Sequence, residues 1–323
     1  MAPLRRSVVL VACLSTALGF QRAAQSPRAA LRAQASVADL LAESVDVAGG
    51  GAEPRSAVVA ALAAKTAETR AGAADVLPYD DDAGCERWLL RFVDGDAVDV
   101  DDAAARVATS CAWRATEGRA VCEAARDAVL SATSNPDLRW DNAPVSAAAP
   151  RGAQIAPWLP AGKLMTMRNT NGDGLVYSVR AGLIDDTGLM ADVAEADLEA
   201  WFLYAKAVNE RVAAALTART GELAKVVTVN DLSGVDLFGD ASFRNALSAA
   251  SKRGDAIFPG LSGPSVLLNL PRLLGALVKL FTPLFPPAVR AKLKFDRFDL
   301  GPDDSLNTAD GKAALLAYLD RTL

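Results

Sequence analysis

The chain has 323 residues, 51% of them apolar, with 34 basic and 39 acidic residues and no histidine. Five arginines fall in the first 35 residues, which hold no acid, so the remainder carries 29 basic against 39 acidic groups, a net −10. That balance argues against a nucleic-acid binder, which must release phosphate counterions. The missing histidine removes the commonest general base and the commonest metal ligand.

Residues 1–36 read as a targeting leader. Arg5 and Arg6 precede an apolar core, Ser7 to Leu18, too short to span a bilayer, and a stretch rich in Arg, Ala and Ser follows Phe20. This order resembles the signal-plus-transit leader of proteins sent to secondary plastids, with the ordinary secretory pathway as the alternative. The cysteines, Cys13, Cys85, Cys111 and Cys122, form no C-x-x-C pair and read as buried thiols.

Residues 37–78 are Ala-rich and read as a linker with one weakly held helix, Ser56 to Arg70. Residues 79–135 read as a helical N-terminal lobe. Trp88, Leu89 and Phe92 share one helical face, Asp99 is placed to cap the next helix, which ends near Trp113-Arg114, and Arg119 to Ala132 form a third. Asp80, Asp81, Asp82, Asp94, Asp96, Asp99, Asp101 and Asp102 cluster here, and read as a solvated face with helix-start carboxylates rather than a calcium site. Five prolines between residues 134 and 160 suggest a hinge.

Residues 150–323 form the larger lobe. Leu164–Arg168 and Leu175–Arg180 read as a hairpin around Asn169-Thr-Asn-Gly-Asp-Gly174, and Glu195 to Thr220 as a long helix ended by Gly221. Lys225 to Asn230 is β-branched enough for a buried strand. Asp240 to Arg253 predicts a helix ended by Gly254, Ser265 to Leu270 a strand, and Ala309 to Leu323 a last helix. The class is α/β, a mostly parallel sheet flanked by helices forming an apolar pocket and preceded by the all-helical lobe. Between the last strand and helix, Arg272 to Phe281 is strongly apolar, is followed by Pro283 and Pro286-Pro287, and leads to Arg290, Lys292 and Lys294. Leu274, Val278 and Phe281 lie on one face of that run. Strand parity places Val226, Thr228 and Asn230 on one face, and Ser265, Leu267 and Asn269 on another.

Several motifs together resemble the CRAL-TRIO family of lipid carriers. Leu89-Leu-Arg-Phe92 followed by Trp113-Arg114 resembles its N-terminal signature. Asp173-Gly174-Leu-Val-Tyr177 resembles its first hairpin, and Val229-Asn-Asp231-Leu-Ser-Gly234 its central strand. Phe258-Pro259 and Leu268-Asn269-Leu-Pro271 resemble its Tyr-Pro-Glu and Ile-Asn-x-Pro, with Gly260 in place of the Glu. The match covers roughly residues 80–320. The resemblance implies a monomeric carrier holding one lipid (a phospholipid, a tocopherol-like molecule or an isoprenoid) beneath a helical gate, Arg272 to Phe285, that opens transiently at a membrane surface. It implies pocket-lining roles for Val226, Thr228, Asn230, Leu267, Leu274, Val278 and Phe281, and matches Thr228 and Lys292 to headgroup contacts. No cofactor, metal or catalytic residue is implied. The alternative is a regulatory or interaction module on the same fold. Gly260-Leu-Ser262-Gly263 only echoes a nucleophile elbow, and there is no histidine to serve as its base.

Overall fold

A computed structural model describes residues 55–93, 99–133, 142–160, 162–169, 174–235, 239–271 and 292–323. Among these residues the first hundred positions are wholly helical: α1 Arg55–Lys65, α2 Ala67–Ala71, α3 Asp82–Leu89, α4 Val100–Ala115, α5 Arg119–Thr133, α6 Asn142–Ala148 and α7 Gly152–Ile155. Carboxylates start two of them. Asp81 accepts a hydrogen bond from Gly84 N at α3, and Asp99 accepts one from Asp101 N at α4. No group of acids among the described residues is arranged to hold a metal ion.

Two stretches pack more closely than their sequences suggest. Val59 and Leu62 of α1, with Val76 and Leu77 beyond it, are buried in the same core as Trp88 and Phe92. The packing surface there is carried by few large side chains among many alanines, so periodicity under-reports it. Within the proline-rich stretch, the described residues from 142 on form α6 and α7. Pro144 sits in the first turn of α6, where its missing N–H costs nothing. Asn142 Oδ1 accepts from Thr166 N at 3.0 Å and its Nδ2 donates to Thr166 O at 2.9 Å, so one amide pairs with an edge strand as a neighbouring strand would.

The rest is α/β. The order is β1 Leu164–Arg168, β2 Leu175–Arg180, α8 Asp186–Asp192, α9 Glu195–Thr220, β3 Val226–Asp231, α10 Ala241–Ile257, β4 Ser262–Leu268, β5 Leu293–Asp296 and α11 Ala309–Thr322. The strands form one sheet in the order β1-β2-β3-β4-β5, with β1 antiparallel to β2 and every other pair parallel. Helix α8 was not legible, although Asp185 caps it through Gly188 N. Gly254 lies inside α10 and does not end it. The helix runs on to Ile257 because Gly254 gives room to the Lys206 stem, which a Cβ there would meet at 2.4 Å. β4 begins three residues early, through a bulge between its Val226 and Thr228 pairings that accommodates Pro264, and it ends at Leu268 because Asn269 is left-handed (φ 55°). The apolar run 272–291, with the gate residues Leu274, Val278 and Phe281, lies outside the described residues. No helix among the described residues is long and apolar enough to cross a membrane.

The sheet is covered on both faces. Leu164, Leu175 and Val226 join the helical core, in which α9 is buried almost all round. Met165, Met167, Val176, Val229, Val266 and Leu268 point the other way, onto Leu315, Leu316 and Leu319 of α11. The helical region is fastened to α9 by a buried ion pair. Arg114 Nη2 donates to both Glu210 oxygens at 2.9 and 2.8 Å, with side chains 1% and 2% exposed, and Trp88 Nε1 donates to Glu210 Oε1 at 3.1 Å. Arg91 reaches from the end of α3 to the carbonyls of Ala224 and Gly260. Gly260 is left-handed (φ 65°), and a Cβ there would meet Arg91 O at 2.6 Å, so this position requires glycine.

Two stability experiments follow. Arg114→Met and Glu210→Leu each leave one buried charge unpaired and cost about 3–5 kcal/mol in urea denaturation, whereas the double variant recovers much of the loss. Gly260→Ala costs about 1–3 kcal/mol from its backbone conformation and its approach to Arg91.

Candidate functional site

A cavity of about 240 Å³ lies between the sheet and the helices α9 and α10. Its floor is the face of β2 and β3 bearing Tyr177, Val179, Val226, Thr228 and Asn230. Phe202, Ala205, Lys206 and Asn209 of α9 form one wall, and Phe243, Leu247, Ala250 and Ser251 of α10 another. Phe202 and Phe243 meet edge to face with centroids 6.3 Å apart. Small residues at Gly182, Gly234 and Ala250 leave the space open, and Leu164, Ile184, Leu232, Val235 and Leu261 keep its lining mostly apolar.

Across this apolar surface runs one polar row. The register aligns Thr166 with Tyr177, Tyr177 with Thr228 and Thr228 with Ser265, so four adjacent strands place hydroxyls side by side on one face. Thr166 is satisfied, its Oγ1 donating to Asn209 Oδ1 at 2.8 Å. Tyr177 OH, Ser265 Oγ and, one step along β3, Asn230 Nδ2 are buried with no hydrogen-bond partner among the described residues. Burial pushes the Tyr177 phenol far above its ordinary pKa, so it is a neutral donor.

One ionic pair stands at the wall. Lys206 Nζ lies 3.4 Å from Asp255 Oδ1, while Asp255 Oδ2 is buried with no hydrogen-bond partner among the described residues. Burial raises the Asp255 pKa, and Lys206 opposes the shift. Arg244 and Asp186 also line the cavity. Asp186 Oδ2 accepts from Asp240 N, and Arg244 Nη1 donates to Gly239 O.

Val226, Thr228 and Asn230 therefore lie together in the floor. Leu267 is buried next to it, in a small cluster with Leu232 and Leu293. Lys292 is exposed immediately before β5, and Leu274, Val278 and Phe281 lie outside the described residues. Sequence reasoning missed Tyr177, whose alternation within β2 would have placed it beside Thr228. It also missed Lys206, which sits on the same face of α9 as Phe202 and Asn209, one turn away on either side. Ser262 lines the cavity too, but Gly260-Leu-Ser262-Gly263 leads into a strand, whereas a nucleophile elbow turns from a strand into a helix.

The motifs that carry the resemblance have structural duties outside this floor. Asp231 Oδ1 accepts from Ser233 N, Ser233 Oγ and Asn269 Nδ2, and Asp231 Oδ2 lies 3.5 Å from Arg180 Nε. Arg180 also donates to the carbonyls of Gly301 and Pro302. This network ties together the carboxyl ends of β2, β3 and β4. No family model matches the chain, and no curated protein matches it.

The Asp255 shift fixes the sign of a pH effect. An aspartate with a raised folded pKa contributes stability that is full below its ordinary value of 3.8 and is lost as pH rises through the raised value. The stability of the native protein relative to Asp255→Asn should therefore fall across that interval and level off above it, as measured by urea denaturation at a series of pH values.

Proposed function

We propose that the chain is a lipid-binding protein of the CRAL-TRIO type. It takes one hydrophobic molecule into the cavity between the sheet and helices α9 and α10, and transfers or presents it at a membrane surface without covalent chemistry. The observation that carries this reading is the cavity itself: mostly apolar walls, and a floor on which Tyr177 and Asn230 keep polar atoms that have no hydrogen-bond partner among the described residues. Apolar burial at about 25 cal/mol per Å² supplies the affinity. The polar row supplies orientation by pairing with a neutral hydroxyl, carbonyl or ester group. Val226, Thr228, Asn230 and Leu267 serve as floor and flank. Leu274, Val278 and Phe281 serve as gate, and Lys292 as a point charge near the headgroup. The leader, residues 1–36, supports action in a plastid.

The cavity volume bears on a second reading. About 240 Å³ is below the roughly 300–1,000 Å³ of typical small-molecule pockets, which favours a single chain or compact ring system over a two-chain phospholipid. It also favours a regulatory module that carries no lipid.

Mass spectrometry of lipids extracted from the purified protein separates the two. The carrier reading expects one lipid per chain. No co-purifying lipid and no uptake from liposomes overturns it. Leu247→Trp fills the cavity and should cut loading about tenfold or more while the far-ultraviolet circular dichroism stays unchanged. Asn230→Leu should change which lipid is retained more than how much.

A further inference from the structure

A second cleft, about 460 Å³, opens between α3, α5 and α9, away from the sheet. Four guanidinium side chains line it: Arg87 and Arg91 from the end of α3, Arg126 from α5 and Arg211 from α9. Tyr79 and Trp88 stand beside them, and Ala214, Ala215 and Ala218 floor the space. Among the described residues, two carboxylates face the same cleft. Asp81 already caps α3 through Gly84 N and lies 3.8 Å from Arg87, and Asp80 is exposed. The lining is thus net positive in a chain that is net negative.

Arg211 is the decisive member. Its Nη2 donates only to the carbonyls of Val76 and Leu77, at 3.4 and 3.2 Å, and no carboxylate among the described residues pairs with it. Its sequence neighbour Glu210 is committed to Arg114. Burial holds the Arg211 pKa below its ordinary value against the pull of Glu210, and Arg114 and Arg126 add to the lowering. Arg126 Nη1 donates to Asp75 O and its Nε pairs with the exposed Asp127, which leaves Nη2 without a partner among the described residues. Several guanidinium groups lining one cleft suit an oxyanion of more than one charge.

We propose that this cleft binds a phosphate monoester, held by Arg87, Arg126 and Arg211 alongside Tyr79 and Trp88. The shared chemistry is a dianionic terminal phosphate, supplied by a soluble ester or by a phosphatidic-acid headgroup. Isothermal titration of the full chain with inorganic phosphate and with glycerol 3-phosphate at low ionic strength should give one saturable site with Kd below about 1 mM. Sedimentation with phosphatidylcholine vesicles, with and without phosphatidic acid, tests the headgroup arm. Soluble binding alone assigns a soluble ester, and capture only by phosphatidic-acid vesicles assigns the headgroup. In either arm Arg126→Gln and Arg211→Gln should each weaken binding about tenfold, while Leu247→Trp in the sheet cavity leaves it unchanged. Should Arg211→Gln fail to fold, the more exposed Arg126→Gln carries the test. No binding in either arm, or binding that Arg126→Gln leaves intact, overturns the proposal.

Discussion

The fold depends on one buried charge being answered. Arg114 is fully buried, and a lone guanidinium there would carry a desolvation cost of several kcal/mol. Glu210 meets it with both oxygens, Ser110 Oγ accepts from its Nε at 3.2 Å, and the Phe258 ring lies 5.0 Å beneath its carbon. Each partner comes from a different part of the chain. Ser110 also donates to Ile257 O at the end of α10, and Trp88 brings α3 to the same carboxylate. Four helices are therefore held in one relative arrangement by a single network, which is satisfied only when all of them are in place. That is a specificity device more than a source of net stability.

With α9 and α10 fixed from outside, the space between them and the sheet is set by side-chain size. α9 turns Trp201, Leu203 and Tyr204 into the core, but Ala205 towards the sheet cavity. α10 does likewise with Ala250 and Ser251. On the opposite face of the sheet, Phe298 stacks on Tyr318 at 4.4 Å and the leucines of α11 pack against the strands. The cavity thus lies on one face of the sheet, and the polar network of Arg180, Asp231 and Asn269 locks the strand ends without entering it.

Elements with strong local signals were legible: the hairpin strands β1 and β2, the whole of α9 with its glycine end, and the Asp99 cap. Strand parity alone brought Val226, Thr228 and Asn230 onto one face. What escaped depends on contacts distant in sequence. Nothing local shows that Gly254 yields to Lys206 rather than ending a helix, that Pro264 sits in a bulge, or that alanine-rich α1 buries Val59 and Leu62. Glu210 is the sharpest case. In the sequence it stands between Asn209 and Arg211 as any solvated glutamate would, and Arg114, 96 residues away, and Trp88 explain its burial.

The unpaired polar atoms weigh most in the functional argument. A buried hydroxyl or amide without a partner costs about 1–3 kcal/mol, and among the described residues Tyr177, Asn230 and Ser265 each hold such an atom, as does Ser178 on the other face of the sheet. Phe at 177, Leu at 230 and Ala at 265 would each remove that cost, so a chain whose only need at this face was stability has a simpler solution available. The same chain satisfies Thr166, one strand over in the same row, through Asn209. Tyr177 and Asn230 line the cavity, and among the described residues their buried hydroxyl and amide nitrogen have no partner; on the proposed reading a guest molecule would complete those hydrogen bonds.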